Sequence, residues 1–251
     1  MRPRIIPVIL LNNRGLYKTV RFKKPTYIGD PINAIKLFNE MEVDELIVLD
    51  ISISKENDLI DFEIIEQMAE ESFFPLAYGG GVHTLEQGKK LYASGFEKVS
   101  INSASFKDFN LISRLAEHAG SQSVIASIDI KKSFLGKPSV YDHRNKKLIK
   151  QDLFDYVLGV ESAGAGEIFI NDVDNDGVMT GYNCELIHEL SKSVSIPLVA
   201  CGGAGAIQDM KKVIDAGAHA AAAGSLFVYY GSQNGILINY PKQEQLDEFL
   251  R

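Results

Sequence analysis

Residues able to handle protons and anions fall at a few places in this 251-residue chain. Asp129 closes the apolar run Ala126-Ser127-Ile128-Asp129. A carboxylate at the end of a buried strand is a general acid/base candidate, and its plain alternative is a loop cap or an ion pair with Lys131 or Lys132. Gly79-Gly80-Gly81 and Cys201-Gly202-Gly203-Ala204-Gly205 each follow an apolar run and precede a helical pattern. Glycines there let backbone N–H groups approach an anion, and the following helix start adds positive dipole. Read alone, such a glycine pair is only a tight strand–helix turn. Here Asn102-Ser103 and Gly224-Ser225 follow one strand later and can close round the same anion. Asp50, Asp172, Asp174 and Asp176 lie at or beyond strand ends, and Asp176-Gly177 reads as a turn suited to phosphate or chemistry. Two facing anion sites imply a substrate with a phosphate at each end.

These features occur in pairs because the second half of the chain repeats the first at an offset of 122 residues. Pro75-Leu76, Gly80-Gly81, Lys89-Lys90, Gly95 and Ser103 recur as Pro197-Leu198, Gly202-Gly203, Lys211-Lys212, Gly217 and Ser225, and Glu45 and Asp50 match Glu167 and Asp172. A period this long sets the architecture before any element is assigned. Nearly continuous apolar runs predict strands at 5–11, 45–50, 75–78, 98–101, 124–129, 167–172, 197–201 and 220–224, as parallel strands buried on both faces require. Amphipathic patterns between them include 32–41, with Asp30-Pro31 as cap and first turn, 84–94, capped by Thr84 and closed by Gly95, and 207–216, closed by Gly217. Four strand–helix units repeated once predict one (βα)8 barrel domain over 1–251, with half-barrels of about 1–120 and 121–251. An open doubly wound sheet gives no reason for the internal repeat. The polar connection 134–150 follows strand five and so belongs to the active-site face.

At the opposite rim, Arg4, Glu45, Lys98 and Glu167 stand at the starts of strands one, two, four and six. Barrel closure brings them together, either as a salt-bridged structural lid or as a gate over an axial passage. Net charge is -7 with no basic cluster, which argues against a nucleic-acid surface. The five His are scattered and Cys184 and Cys201 lack ligand spacing, so neither a metal site nor a cofactor is called for, and a reduced cytosolic setting fits. The N-terminal apolar run is short and cut by Pro7, unlike a secretory signal or a membrane span.

Taken together these residues resemble the cyclase subunit of imidazole glycerol phosphate synthase, often called HisF, over essentially the whole chain. Arg4-Ile5-Ile6, Gly29-Asp30-Pro31, Asp44-Glu45-Leu46, the triple glycine, Lys98-Val99-Ser100-Ile101-Asn102, Gly120-Ser121-Gln122, Asp176-Gly177 and Gly202-Gly203 carry the match. The resemblance implies a barrel that binds a two-phosphate substrate and takes ammonia from a glutaminase subunit docked on its N-terminal face. Ammonia would pass the ring of Arg4, Glu45, Lys98 and Glu167, with Glu97 facing the glutaminase. Phosphate and substrate contacts would fall on Gly81, Asn102 and Ser103, on Asp176, Gly177, Gly203, Gly224 and Ser225, and on Lys18 and Asp50. The family pairs Asp129 with an Asp on strand one, where this chain has Leu10. Leucine transfers no proton, and such a loss costs orders of magnitude. That departure is similar to members found with surface-polysaccharide enzymes, which implies ammonia supply for turning an acetamido sugar into an acetamidino sugar. Two other readings stay open: a histidine-pathway cyclase with a substitute acid, and a non-catalytic scaffold that activates a glutaminase.

Overall fold

A computed structural model describes residues 2–53, 59–231, 233 and 235–250; Met1 and Arg251, the ends of the expected domain, lie outside them. Eight parallel strands close into a barrel: β1 Arg4–Asn12, β2 Leu46–Asp50, β3 Leu76–Gly79, β4 Lys98–Ile101, β5 Val124–Lys132, β6 Glu167–Asp172, β7 Leu198–Cys201 and β8 Ala220–Ala223. Hydrogen bonding runs from each strand to the next and returns from β8 to β1, with β5 and β6 joined from Glu167↔Ile125 to Asp172↔Ile130. The helices α1 Pro31–Glu40, α2 Phe62–Glu71, α3 Leu85–Ala93, α4 Asn110–Ala119, α5 Leu153–Ser162, α6 Cys184–Ser193 and α7 Ile207–Asp215 alternate with the strands. A one-turn α8 Ser225–Val228 and a C-terminal α9 Gln243–Phe249 complete the order. None of the described helices is long and apolar enough to cross a membrane.

Local chemistry explains the element boundaries. Asp30 caps α1 by accepting from the Asn33 amide at 2.8 Å, with Pro31 in the first turn. Thr84 and Gln87 form a reciprocal capping box at α3, and Gly95 and Gly217 end α3 and α7 with positive φ, 102° and 116°. Alternation along each strand separates two cores. On β1, Ile5, Ile9 and Leu11 face the helix layer, whereas Ile6 and Val8 join Ile47, Ala77, Ile125, Phe169 and Val199 inside the barrel. Leu10 therefore points inward one step above Val8, at the C-terminal mouth.

Two elements go beyond the strands and helices read from the sequence, and both rise above the mouth. Residues 12–30 hold an antiparallel hairpin, Gly15–Val20 with Lys23–Gly29, whose first strand turns back and pairs antiparallel with the end of β1, Leu10↔Tyr17 to Asn12↔Gly15. The polar connection 134–150 contains the second hairpin. There β5 runs past Asp129 to Lys132 and folds back through Gly136, φ 81°, into Pro138–Asp142. Polar residues suit both hairpins, because neither has a second apolar layer to cover.

The internal repeat has a structural counterpart. Gly80 and Gly202, at φ 117° and 94°, both lie against the carbonyl oxygen of the preceding strand's last residue, Asp50 and Asp172. A side chain at either position would overlap that oxygen, so glycine is required at both. Asp50 and Asp172 in turn accept the amide two residues on, from Ser52 at 2.9 Å and from Asp174 at 3.1 Å.

Candidate active site

Above the barrel mouth lies a cavity of about 670 Å³. Lys18, Asp50, Gly81, Asn102, Ser103, Asp129, Asp176 and Gly224 all line it, together with Leu10. Gly177, Gly203 and Ser225 are not among its lining residues. Gly177 packs beneath the first hairpin, where an added Cβ would lie 2.5 Å from the Thr19 oxygen, and Gly203 is packed against the Gly181 carbonyl. Ser225 is buried at the start of α8. The hairpin is tied down there: Thr19 donates to Asp176 at 3.2 Å, and Arg21 donates to the backbone oxygens of Asp176 and Asp174, each at 2.9 Å. Lys18, itself buried, extends over Gly224. Its ammonium thus stands where the second anion was expected, and burial, only partly offset by Lys18, pushes the Asp176 carboxyl up.

The cavity is electrostatically unlike the rest of the chain. Lys18, Arg21, Lys23, Lys131, Arg144 and Lys146 line it against the carboxylates Asp50, Asp129 and Asp176, in a protein of net charge -7. Cations converging on a partly enclosed cleft raise the local concentration of anions and orient them. Asp50 is less a free ligand than a brace. Its carboxylate accepts from the Ser52 hydroxyl at 2.6 Å and from the Tyr78 hydroxyl at 3.2 Å, while burial raises its pKa. Asp172 is likewise raised by burial and braced by Asn175 at 2.8 Å.

At the centre, Asp129 is 4% exposed and makes neither of the lysine pairs that sequence suggested. Lys131 instead lies over the Tyr141 ring, 5.0 Å from its centroid, and the Lys132 amide donates to Asp174 at 2.9 Å. Asp129 accepts from Asn102 Nδ2 at 2.9 Å and from Asn171 Nδ2 at 3.5 Å, and its Oδ2 lies 3.0 Å from His143 Nδ1. No motif or spacing marks His143 as a partner of Asp129. Only the hairpin register, Ile130↔Val140 and Lys131↔Ser139, returns the chain to Asp129. Burial works against a charged imidazole, but the hydrogen bond and charge of Asp129, with the charge of Asp142, outweigh it and raise the His143 pKa. Arg144 was also missed. It lies 3.8 Å from Asp142 and donates weakly to the Ser103 carbonyl at 3.5 Å, beside the first glycine turn. Among the described residues no cluster of three or more His, Cys, Asp or Glu could hold a metal ion.

At the opposite end the four charges do meet. Arg4 pairs with both Glu45 and Glu167, and Lys98 Nζ reaches Glu45 at 2.9 Å and Glu167 at 2.9 Å. The glutamates are buried, whereas the Arg4 and Lys98 side chains are 30% and 20% exposed, so the ring presents its cations outward. Burial opposes the Arg4 charge, yet Glu167 and Glu45 hold its pKa above the ordinary value. Glu97 stands exposed beside this ring. Along β6 the step from Glu167 through Phe169 to Asn171, the partner of Asp129, rises four residues, or ~13 Å. Ring and cavity are the two ends of one barrel axis.

The profile of the family described as "Histidine biosynthesis protein" matches residues 4–234. A Pseudomonas aeruginosa protein named "Putative imidazole glycerol phosphate synthase subunit hisF2" is 47% identical over 98% of this chain and 99% of its own length. A Vibrio vulnificus relative named in the same terms as hisF3 is 42% identical over 98% of this chain and 95% of its own. The imidazole glycerol phosphate synthase subunit HisF of Alkaliphilus metalliredigens is 36% identical, over 90% of each chain. With the closed barrel, the axial charge ring and the cavity already described, these likenesses make the chain a member of the histidine biosynthesis protein family, grouped with the HisF subunits of imidazole glycerol phosphate synthase.

Proposed function

We propose that this chain is the ammonia-accepting barrel subunit of a glutamine-dependent amidotransferase pair that serves amidination of a surface-polysaccharide sugar in the cytoplasm. Its partner is a glutaminase docked over the Arg4–Glu45–Lys98–Glu167 ring, with Glu97 in the contact, and the whole chain acts as one barrel built from two half-barrels. The substrate is a phosphorylated or nucleotide-activated sugar. Its anionic part sits among Gly81, Asn102, Ser103 and Lys18, with Asp50, Asp176 and Gly224 beside it and Gly177, Gly203 and Ser225 packed behind the cavity wall.

One observation carries this reading. The ring and a cationic cavity share the barrel axis, yet Leu10 and Asp129 face the mouth where the family's cyclisation would need two acids. Chemistry that needs ammonia and only one proton-transferring side fits such a site. A histidine-pathway cyclase is the second reading, favoured by the names of the relatives. The two separate in one assay: the bisphosphate substrate of imidazole glycerol phosphate synthase, with ammonium chloride supplied. The amidination reading expects turnover at least a hundredfold below that of a two-Asp family member. Turnover within tenfold of such a member would establish the cyclase instead.

A further inference from the structure

The Asp129 neighbourhood holds more than a carboxylate. His143 lines the cavity 3.0 Å from Asp129 through Nδ1, and no hydrogen bond among the described residues engages its Nε2. The Phe22 ring meets the imidazole edge-to-face at 6.2 Å between centroids, which fixes its plane. Asn102 and Asn171 both turn their amide N–H groups toward Asp129, and the carbonyl oxygens left over, Asn102 Oδ1 and Asn171 Oδ1, are buried without a hydrogen-bond partner. Orphaned acceptors of this kind are costly and call for a donor. Both residues line the cavity, with Asn171 6% exposed.

We propose that His143 is the proton-transferring catalytic residue of this barrel, that Asp129 is its positioning residue, and that Asn102 Oδ1 and Asn171 Oδ1 receive the N–H groups of incoming ammonia. This rests on the ammonia-accepting reading above. Ammonia has three N–H donors and one lone pair, so two fixed acceptors hold it while the lone pair attacks a carbonyl carbon of the substrate. A C–N bond forms and the carbonyl oxygen takes the displaced electron pair. His143 Nε2 carries two protons in turn from the new nitrogen to that oxygen, the nitrogen lone pair closes the C=N bond as the C–O bond breaks, and water leaves. Ammonia and carbonyl thus give C=N and water, with no change of oxidation state. Asp129 keeps Nδ1 protonated and so leaves Nε2 as the base, the logic of a nucleophile's base held by a third group. One imidazole serves both transfers on one face, which explains how the site works with Leu10 on the other. The charged groups acting on the imidazole are Asp129 from β5 and Asp142 and Arg144 beside it, while Lys131, Lys146, Asp50, Asp176 and the hairpin's Lys18, Arg21 and Lys23 line the same cavity.

Two measurements on the full-length chain test this without the sugar acceptor, so failure of the amidination reading would show separately. Histidine-ring 15N NMR should find neutral His143 as the Nδ1–H tautomer, with a pKa above that of an exposed histidine that falls in Asp129→Asn. An Nε2–H tautomer, or a pKa unmoved by Asp129→Asn, overturns the assignment. Leu10→Asp restores the second acid, with Leu10→Asn as its packing control. Turnover of the imidazole glycerol phosphate synthase bisphosphate with ammonium chloride should then fall at least tenfold in kcat on His143→Gln, with KM for the bisphosphate within twofold. The kcat–pH profile should also lose the limb matching the NMR pKa. If Asp129 were the base and His143 only its clamp, kcat would stay within twofold or rise, and the proposal fails. Should Leu10→Asp show no turnover, the ring titration decides by itself.

Discussion

Replacing Lys98 by methionine separates a gate from a structural lid. Lys98 Nζ lies 2.9 Å from Glu45 and 2.9 Å from Glu167, both side chains almost wholly buried, and its removal leaves Arg4 as the one cation for two carboxylates. Breaking a buried ion pair by deleting one partner costs about 3–5 kcal/mol. Lys98 is 20% exposed and Arg4 30%, so water relieves part of this, and ~2–3 kcal/mol remains. For a chain of this size that is a fall in Tm of about 4–12 °C, readable by calorimetry. A lid predicts nothing further. A gate also predicts that glutamine hydrolysis separates from amination, because ammonia escapes where the ring no longer closes on it. The assay is glutamate released per aminated product in the reconstituted pair, with Lys98→Met and Glu167→Ala beside wild type. We expect a ratio near one for wild type and at least threefold higher for the variants, while added ammonium still supports product. A ratio near one in every ring variant, despite the lowered Tm, would refute the gate.

Four further outcomes are expected. Gly80→Ala and Gly202→Ala should each lower Tm by roughly 6–12 °C, from ~3 kcal/mol of left-handed strain and overlap with the Asp50 or Asp172 carbonyl; a shift under 2 °C by calorimetry would contradict the shared turn geometry. Crystals soaked in sulfate should show density beside Gly81 and Ser103 within reach of Arg144, or beside Lys18 and Gly224, and both sites empty with ordered loops would count against an anionic substrate. Burial pushes the Cys201 thiol up to about 12, so iodoacetamide at pH 8 should label Cys184 well before Cys201 in the folded protein, as read by peptide mass spectrometry. The raised His143 pKa means its bond to Asp129 stabilises the fold fully below the ordinary histidine value and loses that contribution as pH rises through the raised value. The Tm gap between wild type and His143→Gln should therefore narrow from pH 5 to pH 9, and a gap that widens would reverse the sign.

The barrel was legible because its signals are local or repeated. Parallel strands buried on both faces read as apolar runs, Asp30, Thr84, Gly95 and Gly217 mark helix ends, and the offset of 122 residues ties the halves together. The charge ring could also be read, since each member stands at a strand start and closure alone brings them together. What sequence missed depends on register. His143 reaches Asp129 because β5 continues to Lys132 and turns at Gly136, and the alternation Pro138-Ser139-Val140-Tyr141-Asp142 was the one signal that could have shown it. Lys18 stands over Gly224 because the first hairpin folds across the mouth, which no spacing in residues 12–30 encodes. For the same reason Gly203 and Ser225, although they mirror Gly81 and Ser103 in sequence, do not mirror them in access to the cavity.

The central claim is that nitrogen released from glutamine reaches the acceptor through the barrel, without mixing with solvent. The direct test supplies the reconstituted pair with amide-15N glutamine, a nucleotide-activated N-acetyl sugar and a tenfold excess of unlabelled ammonium chloride, and weighs the aminated sugar by mass spectrometry. The account predicts that most of the new nitrogen is 15N in wild type and that Lys98→Met dilutes it toward the pool. Product that carries 15N only at the proportion of the mixed pool in wild type would contradict it.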